Sequence, residues 1–396
     1  MYLWYLILVF LCSSLYLTEL FNPVGGVLIA TMLSMVFPII LLTKLKEYNV
    51  HYYSLITIYS FVLVTAISSI TNGQIQLLTV PFVFLVLYVA SFNIVPILYK
   101  ANTNKFISNA IMISHAPLIL IPILVNGVNT APYKGIFYNP NSFGSILATL
   151  FAVLLAPFLY TIGGLLKGFN SFTNVKIKLI VQGLILFLIS FLVILSGSRT
   201  SSLAVVGMVM IGLLFLIIDL IKEKKINALI TKGTFLFLAI TSTIIVLIKL
   251  TPFYDYLYIN ILYKFEVKAS SGDVLDNRGA VWSESMQQAG LFGRGKDFFT
   301  EEIGVGAHNT FISIMGEYGW IPLIPFILFL IFSFTSSIKY FLKASNNQYR
   351  YFPLLMVSCF LLLSLGEGML FKLSMIAMFF AIGSTVNLKN KTQHIH

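Results

Sequence analysis

The chain has 396 residues, of which 58% are hydrophobic and only 10% are charged. This composition excludes a soluble globular protein, in which about 45–50% of residues are apolar and about 25% are charged. The net charge of +11 could indicate a nucleic-acid partner. However, the basic residues are scattered through short polar stretches instead of lining one face, which argues against nucleic-acid binding.

Apolar runs close to the length that crosses a bilayer as a helix, about 20 residues, repeat along the whole sequence. They predict an all-α integral membrane protein with about 12 transmembrane helices, folded as a single polytopic domain over residues 1–396. The first run lacks a basic segment and a cleavage site, so we interpret it as a retained span. The predicted spans are 3–19, 24–43, 52–71, 76–98, 107–128, 142–163, 177–196, 202–221, 232–250, 318–337, 351–366 and 370–388.

The polar stretches between the spans alternate in basic content. Under strict alternation, 16 of the 25 lysines and arginines fall on one side, in short loops and the C-terminal tail, where the positive-inside rule is strongest. Both termini are therefore predicted to be cytoplasmic, with the chain in the cytoplasmic (inner) membrane. Residues 251–309 then form one long extracytoplasmic loop. Three of the four arginines fall on that outer side, and arginine pairs bidentately with phosphate, which weakly indicates a phosphorylated ligand there.

The first polar motif in chain order, GIFYNPNSFG, occupies residues 135–144 at the start of the sixth span. Asn139, Pro140 and Asn141 combine turn residues with a helix start, and we expect Asn141 to be the N-cap. A helix N-terminus on the outer face can bind an anion through its free N–H groups. An ordinary loop-to-helix cap explains the same residues, so both interpretations stay open.

The second motif, SGSRTSS at residues 196–202, joins the seventh and eighth spans. The connection is so short that Arg199 must lie near the membrane surface. An ionisable group at that depth is costly to bury and is therefore a candidate functional residue. The alternative is an interfacial anchor that extends its charge toward water.

The third motif is the predicted long loop, which holds eight of the 14 acidic residues of the chain. Loops on a rigid scaffold are where binding and catalytic residues concentrate. Within it, Arg278 leads into Trp282, a glycine-rich turn expected to be flexible contains Arg294, and the pair His308 and Asn309 precedes the tenth span. An imidazole can act as an acid or a base near neutral pH, so His308 is a candidate catalytic residue.

Four acidic residues bear on metal binding and on the substrate path. Asp273 and Asp276 could hold a divalent ion, but their neighbours favour a solvated turn. We therefore predict no metal and no other cofactor. Glu317 and Glu367 lie near the outer ends of their spans, where each either lines a substrate path or caps a helix.

In their order, spacing and sidedness, these motifs resemble the O-antigen ligase and polymerase superfamily, which includes the Wzy-type polysaccharide polymerases. The resemblance rests on G-x-F-x-N-P-N, S-R in a short outer loop, and R-x-x-x-W, G-x-G and H-N in the long loop, over roughly residues 130–320. Thr200 departs from the pattern, since many members of the family have glycine after S-R. The resemblance implies a glycosyltransferase that polymerises undecaprenyl-pyrophosphate-linked oligosaccharide repeat units into O-antigen or capsular polysaccharide at the outer face of the membrane.

The resemblance also implies roles for individual residues. Arg199 and Arg278 would grip the pyrophosphate, and His308 would lie beside the reacting centre. Fixed guanidinium donors can stabilise the charge of a diphosphate leaving group, and an imidazole can orient or deprotonate the attacking hydroxyl. The residues predicted to bind substrate are Asn139, Asn141, Arg294, Asn309 and Glu317. The expected partners are the lipid-linked oligosaccharides, the bilayer, a chain-length regulator and a flippase.

Three other functions stay open at this point. A ligase would transfer a finished glycan to another acceptor, without lengthening it. A lipid-linked oligosaccharide flippase or other transporter would carry charged residues in the middle of its spans, whereas the spans here are almost free of charge. A non-catalytic assembly partner would tolerate replacement of Arg199, Arg278 and His308.

Overall fold

The computed structural model describes residues 2–19, 51–96, 102–128, 132–168, 172–225, 231, 253–270 and 277–386. Within these ranges the regular secondary structure is helical and contains no strand. In chain order the helices are α1 (Tyr2–Leu15), α2 (Tyr52–Thr71), α3 (Thr79–Tyr88), α4 (Thr103–Asn126), α5 (Pro140–Lys167), α6 (Phe172–Ser196), α7 (Arg199–Lys222), α8 (Phe253–Leu257), α9 (Tyr263–Ser270), α10 (Arg278–Gln288), α11 (Thr310–Tyr318), α12 (Trp320–Lys343), α13 (Phe352–Ser364) and α14 (Leu373–Val386). A 3-10 turn (Ile75–Leu78) leads into α3, and π-helical turns occur at Val89–Ile94, Tyr258–Leu262 and Phe298–Glu302.

Seven helical stretches in the described part of the chain are long and apolar enough to cross a membrane. They are Tyr52–Thr71, Ile75–Ile94, Thr103–Val125, Pro140–Lys167, Val175–Ser196, Arg199–Lys222 and Trp320–Lys343. Shorter apolar helices occur at Leu3–Leu15, Phe352–Ser364 and Leu373–Thr385. These elements are those of an α-helical membrane protein, as the composition predicts. The predicted spans 24–43 and 232–250 lie outside the described residues, and the total number of spans stays a prediction.

The chain divides into two compact units, each assembled from separate stretches of sequence. The first unit contains Met1–Pro117, Leu275–Tyr340 and Phe360–His396. The second unit contains Leu118–Val274 and Phe341–Cys359. That the whole chain is one polytopic domain stays a prediction.

In the second unit, α5 and α7 pack directly against each other and run in the same direction. Gly144 near the start of α5 lies against Ser198, since a Cβ atom built on this glycine would be 2.8 Å from the Ser198 Cβ. Farther along, Gly212 of α7 lies against Leu159 of α5 in the same way, at 2.5 Å from the Leu159 Cδ1. Small residues allow helices to approach this closely. The starts of α5 and α7 therefore share one end of the unit, and their last turns share the other.

In the first unit, an aromatic cluster packs α2, α3, α12 and α14 together. The ring centres of Phe61 and Phe84 are 4.6 Å apart, and Phe326 lies 5.5 Å from Phe61. Phe379 of α14 contacts Phe84 edge-to-face at 5.4 Å. All four side chains are fully buried, so large apolar residues from sequence-distant helices form the core of this unit.

Three groups in the helices, one histidine and two cysteines, are buried. His115 is fully buried, and its Nε2 lies 2.7 Å from the Ser14 Oγ. This contact joins α4 to α1. Cys12 and Cys359 are both buried free thiols.

Candidate functional site

The polar stretch 277–310 belongs to the first unit and is held at two places by connections between helices. The first place is the connection between α2 and α3. The Asn72 side chain donates a hydrogen bond to the Phe292 carbonyl at 2.9 Å, and the Lys296 backbone N–H donates to the Gln74 side chain at 2.6 Å. These bonds fix the glycine-rich part of the stretch at one end of α2.

The second place is the connection between α13 and α14. The Asn309 amide donates to the Leu365 carbonyl at 3.2 Å, and the Thr310 hydroxyl donates to the Glu367 carbonyl at 3.0 Å. The Thr310 hydroxyl also accepts a hydrogen bond from the Met369 N–H at 2.9 Å. The start of α11 is therefore tied to the backbone on both sides of Glu367.

Asn309 is the N-cap of α11 and fixes the backbone immediately after His308. Its side-chain oxygen accepts hydrogen bonds from the N–H groups of Phe311 and Ile312, at 2.9 and 3.2 Å, which satisfies donors that a helix start leaves free. His308 itself has a φ of 45°, a conformation that non-glycine residues seldom adopt. Such strained residues are concentrated at functional sites. The substrate contact predicted for Asn309 stays a prediction beside this observed capping role.

Arg278 and His308 meet at the carboxylate of Glu367. The Arg278 Nη1 donates to the Gly366 carbonyl at 2.7 Å, and the Arg278 Nη2 lies 3.9 Å from the Glu367 Oε1. The other carboxylate oxygen, Oε2, lies 3.8 Å from the His308 Nδ1. The Glu367 side chain is only 9% exposed, whereas that of His308 is 43% exposed. We call these three residues the Arg278–Glu367–His308 cluster.

The R-x-x-x-W spacing explains how α10 contributes to the Arg278–Glu367–His308 cluster. Trp282 follows Arg278 by one helical turn, so both side chains leave the same face of α10. The Trp282 indole N–H donates to the Ala307 carbonyl at 2.7 Å. The same helix face therefore supplies the guanidinium and holds the residue that precedes His308.

Arg294 and Glu317, two of the predicted substrate-binding residues, have other surroundings. The Arg294 side chain is 50% exposed, and its Nε lies 3.9 Å from a carboxylate oxygen of Glu302. Glu317 lies near the end of α11, where burial raises the pKa of its carboxyl to about 8, the Lys296 charge acts to lower it and Asp297 to raise it. This carboxyl is therefore mostly protonated at neutral pH. The structure does not bring either residue to Glu367.

The glycine-rich turn that contains Arg294 is packed against α11, and its flexibility stays a prediction. The backbone N–H of Arg294 donates to the Gly316 carbonyl at 2.8 Å, and that of Gly295 donates to the Glu317 carbonyl at 3.1 Å. Gly293 has a φ of 74°, and a Cβ atom there would lie 2.4 Å from the Glu317 carbonyl oxygen. The glycine is needed for close backbone approach.

The other predicted site residues, Asn139, Asn141 and Arg199, belong to the second unit. Asn139, and not Asn141 as expected, is the N-cap of α5, because its side-chain oxygen accepts the Asn141 N–H at 2.7 Å. Pro140 then takes the first helical position, where its fixed φ fits and its missing N–H is not needed. Arg199 is the first residue of α7. Since the starts of α5 and α7 share one end of the unit, these three residues lie at that end.

Two residues, one in each unit, contact predicted site residues or their neighbours but were not firm candidates from the sequence. Glu367 was noted as an acid near a span end, but its two partners are distant in sequence, so only the fold reveals the cluster. Lys264 of α9 donates a hydrogen bond to the Gly197 carbonyl at 3.2 Å, immediately before α7. No motif distinguishes this lysine from the other lysines of the chain.

The described residues contain no group of three or more His, Cys, Asp or Glu side chains that could hold a metal ion. Asp273 and Asp276 lie outside the described residues, and a metal-free, cofactor-free site stays a prediction. Comparison of the chain with models of known protein families and with curated proteins finds no match. The membership suggested by the motifs is therefore a hypothesis that depends on the chemistry of the site.

Proposed function

We propose that the protein is a membrane glycosyltransferase that polymerises undecaprenyl-pyrophosphate-linked oligosaccharide repeat units into O-antigen or capsular polysaccharide. In this proposal the chain crosses the cytoplasmic (inner) membrane about 12 times, with both termini cytoplasmic and residues 251–309 outside. The observation that carries the proposal is the Arg278–Glu367–His308 cluster. It combines a guanidinium, a buried carboxylate and a half-exposed imidazole. Two of its residues, Arg278 and His308, belong to the motifs found in the sequence.

The imidazole of His308 can take the proton that the reaction releases. Its Nδ1 lies 3.8 Å from the Glu367 carboxylate, and in the tautomer that carries the proton on Nδ1 the Nε2 atom is the acceptor. A hydroxyl of the incoming repeat unit attacks the anomeric carbon of the growing chain. The bond from that carbon to the diphosphate oxygen breaks with its electron pair on the diphosphate, and the hydroxyl proton passes to the His308 Nε2.

Arg278 supplies positive charge for the departing diphosphate. The Gly366 carbonyl holds one nitrogen of its guanidinium, so the group is oriented before a ligand arrives. Fixed donors of this kind stabilise developing charge without having to reorganise, and loss of one costs about 2.7–4 kcal/mol of activation free energy. The matching role of Arg199 rests on the motif resemblance. A flippase that delivers the donor and a chain-length regulator remain the expected partners.

The direct test is an assay of the purified full-length protein with synthetic undecaprenyl-pyrophosphate repeat units. We expect the wild type to form ladders of glycan and to keep doing so with a chelator present. Arg278→Ala and His308→Ala should lower the rate about 10²–10³-fold. The control is Glu284→Gln, which changes an exposed acid on α10 that bonds Gln288 at 3.0 Å, and it should leave the rate unchanged.

Each arm of this assay can contradict a different part of the proposal. Ladders that survive both substitutions would refute the site, and ladders lost with the chelator would refute metal-free catalysis. A folded wild type that extends no chain, but transfers a finished glycan to another added acceptor, would be a ligase. If it does neither, the glycosyltransferase assignment itself is refuted.

A further inference from the structure

Lys372 is the only charged residue of the apolar stretch 370–388, and it immediately precedes α14. An ionisable side chain in such a stretch is costly to bury and is a candidate functional residue. The Lys372 carbonyl accepts hydrogen bonds from the N–H groups of Met375 and Ile376 at 3.1 and 3.2 Å, so Lys372 occupies the N-cap position of α14. Lysine is not a preferred N-cap residue, and a positive charge is unfavourable at a helix N-terminus. The stability of α14 therefore does not account for a lysine at this position.

The charged partner of Lys372 is Glu367, which belongs to the same connection between α13 and α14. The Glu367 carboxylate attracts the Lys372 ammonium electrostatically. The Lys372 N–H donates to the Met369 carbonyl at 3.2 Å, which turns the chain between the two residues. Both residues lie in the first unit, as do Arg278 and His308. A buried carboxylate needs charged partners, and Lys372 supplies a cation in addition to Arg278.

The backbone next to Lys372 has the same unusual conformation as the backbone at Arg278 and His308. Of the described non-glycine residues, four have a positive φ, and three of these four lie at the cluster. They are Asn277, immediately before Arg278, with a φ of 61°, His308 itself with 45°, and Phe371, immediately before Lys372, with 62°. Such conformations are concentrated at functional sites, and for a bulky residue like phenylalanine they are true outliers. The strain therefore groups Lys372 with the two site residues.

The aromatic cluster of the first unit holds Phe371 in this conformation. The ring centre of Phe371 lies 6.2 Å from that of Phe84 in an edge-to-face contact, and Phe84 is fully buried. A strained conformation persists only where the surrounding structure determines it. The packed rings therefore fix the backbone position from which the Lys372 side chain leaves.

We propose that Lys372 is a positioning residue that acts on the reaction through the Glu367 carboxylate. Arg278 attracts this carboxylate from α10, and Lys372 attracts it from the start of α14. Attraction from two elements restricts the rotation of the carboxylate, which in turn orients the imidazole of His308. The role in the reaction rests on the proposed function, and none of the sequence motifs contains Lys372.

The first test measures chain extension by the purified full-length protein with synthetic undecaprenyl-pyrophosphate repeat units. Lys372→Gln should lower kcat about tenfold, as expected for residues coupled in one charge network, and leave the KM for the donor unchanged. Lys372→Arg should retain most of the rate, because it keeps the charge. The matched control is Lys339→Gln, which changes an exposed lysine of α12 in the same unit and should behave like the wild type.

A double-mutant cycle with Glu367→Gln shows whether Lys372 acts through the carboxylate. In the Glu367→Gln background, Lys372→Gln should change kcat by about twofold or less, because the charge on which it acts is gone. Unfolding of the same four proteins measures the coupling without any substrate. Lys372→Gln should lower the folding equilibrium constant about tenfold when Glu367 is present, and about twofold or less when it is replaced.

A titratable substitution provides a further test if Lys372→Gln does not fold. Lys372→His places a side chain there that is mostly charged at pH 6 and mostly neutral at pH 8, since the ordinary pKa of histidine is about 6.5. The charged and titratable groups around this position are Arg278 from α10, His308 before α11 and Glu367, so each rate is divided by that of the wild type at the same pH. This ratio should fall about fivefold from pH 6 to pH 8. A constant ratio would refute a role of the charge.

The outcomes separate the role of Lys372 from the proposed function. A folded Lys372→Gln protein with the wild-type kcat, or an equal loss in Lys339→Gln, would refute the role. A tenfold loss that persists in the Glu367→Gln background would refute action through Glu367, and a raised KM with unchanged kcat would identify a substrate contact instead. If the wild type forms no ladders, the glycosyltransferase is refuted, while the unfolding cycle still decides whether Lys372 is coupled to Glu367.

Discussion

The chain contains two clusters of charged side chains that are built in different ways. In the second unit, Asp219 pairs with Lys167 at 2.7 Å and makes a closer ion pair with Arg350. Each of these three side chains is at most 7% exposed, and the Arg350 guanidinium lies over the rings of Phe341 and Tyr351. In the Arg278–Glu367–His308 cluster of the first unit, the two contacts to the Glu367 carboxylate are 3.8–3.9 Å long and the imidazole is half-exposed.

The difference indicates a structural role for one cluster and a chemical role for the other. Short, fully desolvated pairs leave little capacity for another ligand, and breaking one strands a charge in the protein interior. Long pairs around an exposed imidazole leave hydrogen-bonding capacity that a substrate can use. Charged residues are common to both clusters, so their pairing and exposure are what separate a structural cluster from a candidate site.

The largest effect is expected from breaking the buried cluster of Lys167, Asp219 and Arg350. Asp219→Asn should destabilise the fold by about 3–5 kcal/mol, because it leaves Arg350 buried without its counter-charge and leaves Lys167 paired only with Glu223. Unfolding of the purified protein, titrated with a denaturing detergent in mixed micelles, measures this loss. The control is Glu223→Gln, which removes a 37% exposed partner of Lys167 and should cost about 1 kcal/mol or less. If the folded fraction of Asp219→Asn loses catalytic rate as His308→Ala does, the structural assignment is wrong.

The second-largest effect is expected in the rate of chain extension and not in the stability of the fold. Glu367→Gln keeps the shape of the side chain but removes the charge that orients His308 and pairs with Arg278. We expect the rate of chain extension to fall about 10²-fold, the equivalent of about 2.7 kcal/mol, with a much smaller loss of stability than in Asp219→Asn. Rates and unfolding measured on the same preparations check this, with Glu284→Gln as the control. A folded Glu367→Gln protein with the wild-type rate would assign Glu367 to structure alone.

The helices of the fold could be predicted where polar residues end an apolar run. The span predicted at 52–71 coincides with α2 (Tyr52–Thr71), because His51 and Asn72 bound the run. The span predicted from residue 318 instead begins at Trp320, after the separate helix α11. Gly319, with a φ of 104°, interrupts the helix there, but the apolar composition continues through the break. The composition of a segment predicts how long its apolar part is, but it does not predict the backbone angle of one residue within it.

The candidate site could be predicted only in the parts that carry a local motif. Arg278 and His308 belong to short patterns in the polar stretch, and the fold places both beside one carboxylate. The contribution of Glu367 depends on the docking of the α13–α14 connection against Asn309, a long-range contact that the sequence does not encode locally. Arg294 has an equally suggestive sequence context, yet it pairs with exposed Glu302.

Glu317, for which no ion pair occurs among the described residues, tests whether such an acid belongs to either kind of cluster. Its folded-state pKa of about 8 lies above the ordinary value of 4.5, so the folded state retains a proton that the unfolded state releases. Stability should therefore fall as the pH rises from 4.5 through 8 and level off above it. From pH 6.5 to pH 8.5 the expected loss is about 2 kcal/mol. Unfolding measured at several pH values should show this slope in the wild type and lose it in Glu317→Gln. A slope that persists in the variant would assign the pH dependence to another group.

The smallest effect is expected from changing Asn309, which both caps α11 and holds the backbone next to His308. Its replacement therefore tests whether one residue contributes to stability and to catalysis. Asn309→Ala removes the cap of α11 and the hydrogen bond to the Leu365 carbonyl, so we expect a stability loss of about 1 kcal/mol. The rate should fall as well, because the backbone that sets the φ of His308 is no longer held from this side. Asn309→Ser, which can still cap the helix but does not reach Leu365, separates the two contributions. If Asn309→Ala loses stability but keeps its rate, the bond from Trp282 to the Ala307 carbonyl is sufficient to position His308, and the cap of α11 belongs with the structural contacts.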